Sequence, residues 1–319
     1  MILFSKEGKL MKILFLIIAA VAAVIVLISW MLYRFTFATG EKERGEVHIP
    51  SHGPYGILYD TMVSYSTHVQ NAPFTYVHTQ SMDGLKLSGM YYHRKAGVPL
   101  ILAFHGYKGH PYFDGCPAFA IAEKMGYNLL LVEQRGHGHS EGKCLTMGVR
   151  ERMDCVCWSR WAQQHYPDTD QVLMGVSMGA ATVLMASDQG VSDHVKAIIA
   201  DCGYTSVPAI LKHCIPQMLK GAPVGLCYAI GRLGARLFAG FDPEDGNALT
   251  SMKNNTIPVL LIHGDIDDFV PWQMSIENNE ACIAEHRLVM IHDAPHAASF
   301  FTDADTYLDE ACTFLHHYL

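Results

Sequence analysis

Two kinds of apolar pattern divide this chain. The first is one unbroken run at residues 13–33, about 21 residues interrupted only by Ser29. At about 1.5 Å per residue it reaches roughly 30 Å, the hydrocarbon thickness of a bilayer. Lys6, Lys9 and Lys12 precede it, and Trp30, Tyr33 and Arg34 close its far end, as interfacial aromatic and basic anchors do. A cleaved signal peptide has a shorter apolar core, about 7–15 residues, followed by a small-x-small site. The nearest such site here, Thr36-Phe37-Ala38, is poor. The pattern predicts an uncleaved transmembrane helix, span 13–33, within an anchor region 1–40.

The second kind is a series of short runs. Residues 74–79 and 85–92 flank the turn Ser81-Met82-Asp83-Gly84 and predict an antiparallel hairpin. Runs at 99–104, 127–132, 172–174, 195–200, 258–262 and 287–291 are continuous, not alternating, which suits strands buried on both faces of a parallel sheet. Helix-length stretches lie between them at 114–125, 149–165, 178–186 and 273–285. A hairpin followed by β-α-β alternation predicts one open α/β domain over 74–319, with about eight strands. Residues 41–73, polar and punctuated by Gly and Pro, read as a juxtamembrane linker with some local structure. Residues 203–241 break the alternation. There Leu226, Ile230, Leu233 and Leu237 recur at i, i+4, i+7 and i+11 and predict a helix.

Composition and charge sharpen this outline. The 319 residues are half apolar and 17% charged, enough for a large core and too hydrophobic for a disordered chain. A net charge of −8 without any basic run of five excludes a general nucleic-acid binder. The charge is unevenly placed. Residues 203–241 hold Lys212, Lys220, Arg232 and Arg236 and no acid, hence +4; residues 1–40 carry +3, which leaves about −15 for the rest. A cationic helical insert on an acidic body reads as a cap over a site. The nine cysteines form no paired CxxC framework. Cys155 and Cys157, two apart on a predicted helix, point to different faces, so buried free thiols are expected.

Orientation across a membrane rests on a near tie. Three lysines precede the span, and Arg34, Lys42 and Arg44 follow it. The N-terminal amine tips the count towards a cytoplasmic N-terminus, so the catalytic domain is expected outside the cytoplasm. Unpaired thiols argue the other way, because an oxidising compartment invites mispairing.

Candidate chemistry begins at Gly175-Val176-Ser177-Met178-Gly179, a G-x-S-x-G between a buried strand and a helix of small residues. A serine hydroxyl is a weak nucleophile unless a sharp turn exposes it and a base takes its proton. The helix after the turn aims its amides at the reacting centre. An acid and then a histidine should follow at the ends of later strands. The run His263-Gly264-Asp265-Ile266-Asp267-Asp268 offers three aspartates. After the next strand come His292 and His296, and His296, between Pro295 and Ala297, has room to reach Ser177. For the oxyanion, one donor is the Met178 amide. The other is the Tyr107 amide, in the loop His105-Gly106-Tyr107-Lys108-Gly109 that follows an early strand. His105 reads as structural within that loop, while Tyr107, Lys108 and His110 either line a pocket or face solvent.

These motifs resemble the α/β-hydrolase superfamily over roughly residues 74–319. Glu133-Gln134-Arg135-Gly136-His137-Gly138-His139-Ser140 is similar to the D-x-R-G-H-G-x-S signature, with Glu for Asp. Asp201-Cys202-Gly203-Tyr204 and the pair Trp158 and Trp161 add to the likeness to the bacterial serine aminopeptidase-like and prolyl-oligopeptidase-like branch, some of whose members carry a membrane anchor. The resemblance implies a mostly parallel eight-stranded sheet with helices on both faces, and a helical cap where 203–241 falls. It also implies that the acid is the fifth residue of H-G-x-x-D-x-x-V-P, which selects Asp267 over Asp265 and Asp268.

The expected chemistry is acyl transfer by Ser177, His296 and Asp267 with no metal or organic cofactor. An acid-free cap suits an apolar or anionic group better than an α-ammonium, so a small or lipid-like acyl ester is the expected substrate. A serine aminopeptidase is the runner-up, and an anchored binding module on a silent fold is a third reading. Metal catalysis lacks any H-E-x-x-H or similar helix-spaced ligand set. Acyl length, leaving group and oligomeric state are not written in the sequence.

Overall fold

The computed structural model describes residues 2–40, 45 and 47–319. Lys42 and Arg44, which enter the orientation count, lie outside the described residues. The chain opens with helix α1 (Ile2–Thr36), a 3-10 turn (Gly53–Leu58) and α2 (Tyr59–Gln70). Strands β1 (Thr75–Gln80), β2 (Lys86–Tyr92) and β3 (Leu100–Phe104) follow, then α3 (Pro111–Asp114), α4 (Cys116–Met125), β4 (Asn128–Glu133) and α5 (Glu151–His165). Next come β5 (Gln171–Val176), α6 (Met178–Ala186) and β6 (Val195–Asp201). The cap region holds α7 (Val207–Met218), α8 (Val224–Gly234) and a π-turn (Ala235–Ala239), and α9 (Ala248–Met252) leads back to the sheet. The chain closes with β7 (Val259–Gly264), α10 (Gln273–Ala281), β8 (His286–Ile291), α11 (Ser299–Thr302) and α12 (Ala304–Tyr318).

The eight strands form one sheet in the order β1-β2-β4-β3-β5-β6-β7-β8. β1 and β2 are antiparallel, β2 is antiparallel to β4, and every pair from β4 to β8 is parallel. The continuous apolar runs of β3 to β7 are explained by this arrangement. In β3, Leu100, Leu102 and Phe104 enter one core while Ile101 and Ala103 enter the other, and all five are buried. One face is covered by α5 and α6, around Trp158, Leu184 and Tyr204. The other is covered by α2, α4 and α12, around Met62, Phe119 and Tyr307.

Two helices depart from the sequence reading. Residues 59–70, expected within a linker, form α2, which buries Met62, Ser66 and Val69 at i, i+4 and i+7. With Ser66 inside the buried stripe and Val63 outside it, hydrophobicity alone does not mark that face. α12 has a clearer signal: Asp303 caps it by accepting from the Thr306 amide at 3.0 Å, and Tyr307, Ala311, Phe314 and Leu315 share its buried face.

The junction between anchor and body also differs. The apolar run continues as helix to Thr36, and the next residues enter the domain and do not lead out of it. Phe37 is 2% exposed and meets the Phe241 ring edge-on at 5.2 Å. The Phe37 carbonyl accepts from the Leu145 amide (2.9 Å), Thr39 donates to the Lys143 carbonyl (3.0 Å), and Ala38 bridges Cys144. The folded body therefore includes residues 37–39, well before residue 74.

Candidate active site

The turn from β5 into α6 holds Ser177 at φ 56°, ψ −114°, a region an L-residue occupies only under strain of about 1–3 kcal/mol. Close packing maintains it. A Cβ on Gly175 would stand 2.2 Å from the Gly179 carbonyl carbon, and one on Gly179 would stand 2.0 Å from the Phe104 carbonyl oxygen. Both glycines are thus required by contact between backbones. The Ser177 amide donates to the Asp201 carbonyl at 2.8 Å, which ties the turn to β6.

Ser177 Oγ lies 2.9 Å from His296 Nε2, and His296 Nδ1 lies 2.7 Å from Asp267 Oδ2. Nδ1 faces a carboxylate and so carries the proton, which leaves Nε2 to accept from the serine hydroxyl. The Asp267 side chain is fully buried, and its other oxygen accepts from the amides of Phe269 (3.0 Å) and Val270 (2.8 Å). Burial opposes its ionisation. Hydrogen bonds from His263 and His296 outweigh burial and hold the carboxyl down at about 2. A Cβ on Gly264 would meet the Ala294 carbonyl at 2.0 Å, so that glycine lets the acid loop and the histidine loop touch.

The runners-up fall elsewhere. Asp265 accepts from His292 Nδ1 at 2.6 Å and from the Asp293 amide at 2.7 Å, an outward-facing pair that closes the loop. Asp268 is exposed, and its carbonyl faces His213 and Gln217 of α7.

Several supporting residues escaped the sequence reading. His263 Nε2 lies 3.1 Å from Asp267 Oδ2 and 3.0 Å from the Val270 carbonyl, so it carries a proton, while Ser275 donates to Nδ1 at 2.6 Å. This histidine gives Asp267 a second donor; its place in the His-Gly motif was the available signal. Tyr55 donates to the His296 carbonyl at 3.0 Å, and the Phe269 ring lies 4.9 Å from the imidazole. Asp114 had no signal. It accepts from the Gly106 amide at 2.8 Å, and burial pushes its carboxyl up to about 6.

The expected oxyanion loop runs beside Ser177. A Cβ on Gly106 would sit 3.4 Å from the serine Cβ, which brings the following residue, Tyr107, next to the nucleophile; Met178 opens α6 on the other side. His105 accepts from the Gln134 amide at Nε2 (3.0 Å) and donates from Nδ1 to the Gly106 carbonyl (2.9 Å), which confirms its structural role. Burial, with His137 alongside, pushes its protonation far down, so it stays neutral. The signature around Arg135 braces the same region. Arg135 is buried and grips Asp154 through two bonds of 2.6 Å and Asp83 through bonds of 2.9 and 3.1 Å. The Tyr107 and Lys108 side chains reach back to the anchor helix. Tyr107 donates to the Thr36 carbonyl (2.8 Å) and Lys108 to the Phe35 carbonyl (3.1 Å), at the end of α1.

Two of the cap's four bases are paired with acids in three dimensions. Arg232 binds Asp242 at 2.7 and 2.8 Å and approaches Glu244 at 3.7 Å; Arg236 lies 3.8 Å from Asp242. Lys212 stands over the Tyr228 ring at 4.5 Å. The acids that pair with the two arginines begin just after residue 241, so a boundary drawn there exaggerated the cap's field.

A potential metal set, Cys202, Asp267 and His296, has ligand atoms within 4.8 Å of one another. Burial, then the charges of Asp201 and Asp267, push the Cys202 thiol far up, which keeps it in the neutral form that ligates poorly. All nine cysteines are unpaired, five of them buried.

The α/β-hydrolase fold family model matches residues 99–225. The uncharacterized protein YfhR of Escherichia coli O157:H7 is 26% identical over 242 residues, 73% of this chain and 77% of that one. Among solved structures, the Pyrococcus furiosus esterase Pf2001 superposes with a TM-score of 0.64 at 21% identity, over 86% of this chain and 97% of that one. The Pyrococcus horikoshii acylaminoacyl peptidase gives 0.55 at 19% identity, over 82% and 43%. Strand order, family match and these likenesses agree on the architecture: the chain has the α/β-hydrolase fold.

Proposed function

We propose that the chain is a membrane-anchored serine hydrolase that cleaves acyl esters. The observation that carries the reading is the line of two hydrogen bonds, Ser177 to His296 at 2.9 Å and His296 to Asp267 at 2.7 Å, starting from a strained serine. In the proposed reaction His296 Nε2 takes the Ser177 proton as Oγ attacks the ester carbonyl. Asp267, ionised, stabilises the imidazolium, and the Tyr107 and Met178 amides receive the oxyanion. The leaving alkoxide then takes the proton from Nε2. Water attacks the acyl-enzyme, His296 accepts its proton, and the acid departs as the proton returns to Ser177. No metal or organic cofactor enters these steps.

Two observations favour an ester over a peptide. The acids that directly follow the cap, Asp242 and Glu244, are engaged by Arg232 and are not free to receive an α-ammonium. The loop expected to supply an oxyanion donor is bonded to the end of an apolar helix, which suits a substrate that partitions into lipid. That helix is long and apolar enough to span a bilayer over Gly8–Thr36, with a mean hydropathy of 3.0. We read it as a retained anchor, because cleavage near residue 38 would cut backbone buried in the domain. We place the hydrolase outside the cytoplasm, on the side opposite Lys6, Lys9 and Lys12.

The test is hydrolysis by the full-length chain in detergent, across aryl esters of increasing acyl length and an aminoacyl arylamide. Ester turnover should dominate, and Ser177→Ala should lower it on the order of 10³-fold or more. Preference for the arylamide would replace this reading with a peptidase. Inertness of folded protein towards both would favour a binding role.

A further inference from the structure

We propose that cap helix α8 and the π-turn after it lie in the membrane interface beside the anchor, and so hold the mouth of the Ser177 site against the lipid surface. The inference rests on the reading of α1 as a membrane span.

Depth is fixed by direct packing. A Cβ on Gly234 would stand 2.2 Å from the Ser29 carbonyl oxygen, so the two backbones touch there. Ser29 is fully buried against the cap, Gly231 faces Leu32, and the Tyr33 and Phe238 rings lie 5.8 Å apart. Glycine at the crossing allows this approach, as between helices in a bilayer. Ser29 lies four residues before the end of the apolar run at Tyr33, about 6 Å along a helix axis. Whatever depth those residues occupy, α8 occupies too.

The outward surface of α8 is apolar. Leu226, Leu233 and Leu237 share one helix face and are 58%, 36% and 54% exposed, and Phe238 beside them is 38% exposed. Arg232 and Arg236 flank this stripe and turn to Asp242 and Glu244. An apolar stripe beside charges paired to the body is the surface of an interfacial helix. Its occupant is the bilayer because the stripe adjoins the anchor at one depth. The exposed Ile28, Trp30 and Met31 of α1 sit among the residues that α8 contacts. The site comes with it, because the loop beside Ser177 is bonded through Tyr107 and Lys108 to the last turn of α1.

Photocrosslinking tests this without relying on catalysis. Benzoylphenylalanine is placed singly at Leu237, Ile17 or Ile283 of the full chain in phosphatidylcholine vesicles, and acyl-chain adducts are read by mass spectrometry. Ile17 lies within the span. Ile283 is 68% exposed and precedes β8, at the sheet edge opposite the site. The expected result is lipid adduct at 237 approaching that at 17 and about tenfold or more above that at 283. A second placement at Leu226 should repeat it. Adduct at 17 with none at 237 and 226 overturns the inference while leaving the anchor intact, as does crosslinking of 237 to a second copy of the chain. Absence of adduct at 17 overturns the anchor reading itself.

Discussion

If the residues after α1 belong to the folded body, Phe37→Ala is a core mutation and not a linker mutation. The side chain is 2% exposed, joins the core that contains Trp158 and Tyr204, and packs edge-on against Phe241. Truncating a buried phenylalanine to alanine costs about 3–5 kcal/mol, a large share of the roughly 5–15 kcal/mol that holds a domain together. For a domain of this size that corresponds to a fall in Tm on the order of 10 °C. Thermal unfolding of the full chain in detergent reads it directly. Phe35→Ala is the internal control. Two residues earlier and 62% exposed, Phe35 should shift stability by no more than about 0.5 kcal/mol. Phe37→Leu, which keeps most of the volume, should fall between them. Equal melting of Phe37→Ala and wild type, within about a degree, would refute the reasoning and return residues 37–39 to a linker.

Other outcomes follow from the site. Asp267→Asn preserves size but removes the charge that holds His296, so steady-state turnover should drop on the order of 10³–10⁴-fold. The same variant should change acid stability. A carboxyl held at about 2 in the fold against about 3.9 unfolded adds stability that is complete above about pH 5 and lost as pH falls through 2, about 2–3 kcal/mol in all. Urea unfolding between pH 5 and 3 should show the wild type weakening towards acid and Asp267→Asn lacking that contribution. Gly179→Ala puts a methyl 2.0 Å from the Phe104 carbonyl, a contact with backbone that cannot yield. Its cost should reach at least about 2 kcal/mol, visible as a lower urea midpoint together with lost turnover.

Much of the architecture was legible in the sequence because its signals are local. All eight strands fall within a residue or two of the predicted runs: β3 to β7 because strands buried on both faces must be continuously apolar, β1 because a turn signal marks its hairpin with β2. The proposed triad was readable because order and spacing carry it: a serine between two glycines, then an acid and a histidine at the ends of successive parallel strands. What escaped depends on tertiary partners. α2 buries Ser66 between Met62 and Val69 while Val63 and Tyr65 lie off that stripe, so its inward face is set by what it packs on. His263 acquires its role only when Ser275 and Asp267 close around it, and Asp114 matters only because the chain folds it under Gly106. The cap's charge misled for a similar reason: Asp242 and Glu244 pair with its two arginines from just outside the boundary drawn in sequence.

The central claim is that Ser177 is a nucleophile activated by His296. A fluorophosphonate probe tests it without any knowledge of the substrate. The full-length chain should take up one probe per molecule, the adduct should map to Ser177, and Ser177→Ala and His296→Ala should both abolish labelling. Folded protein that stays unlabelled, or labels at another residue, would contradict the account.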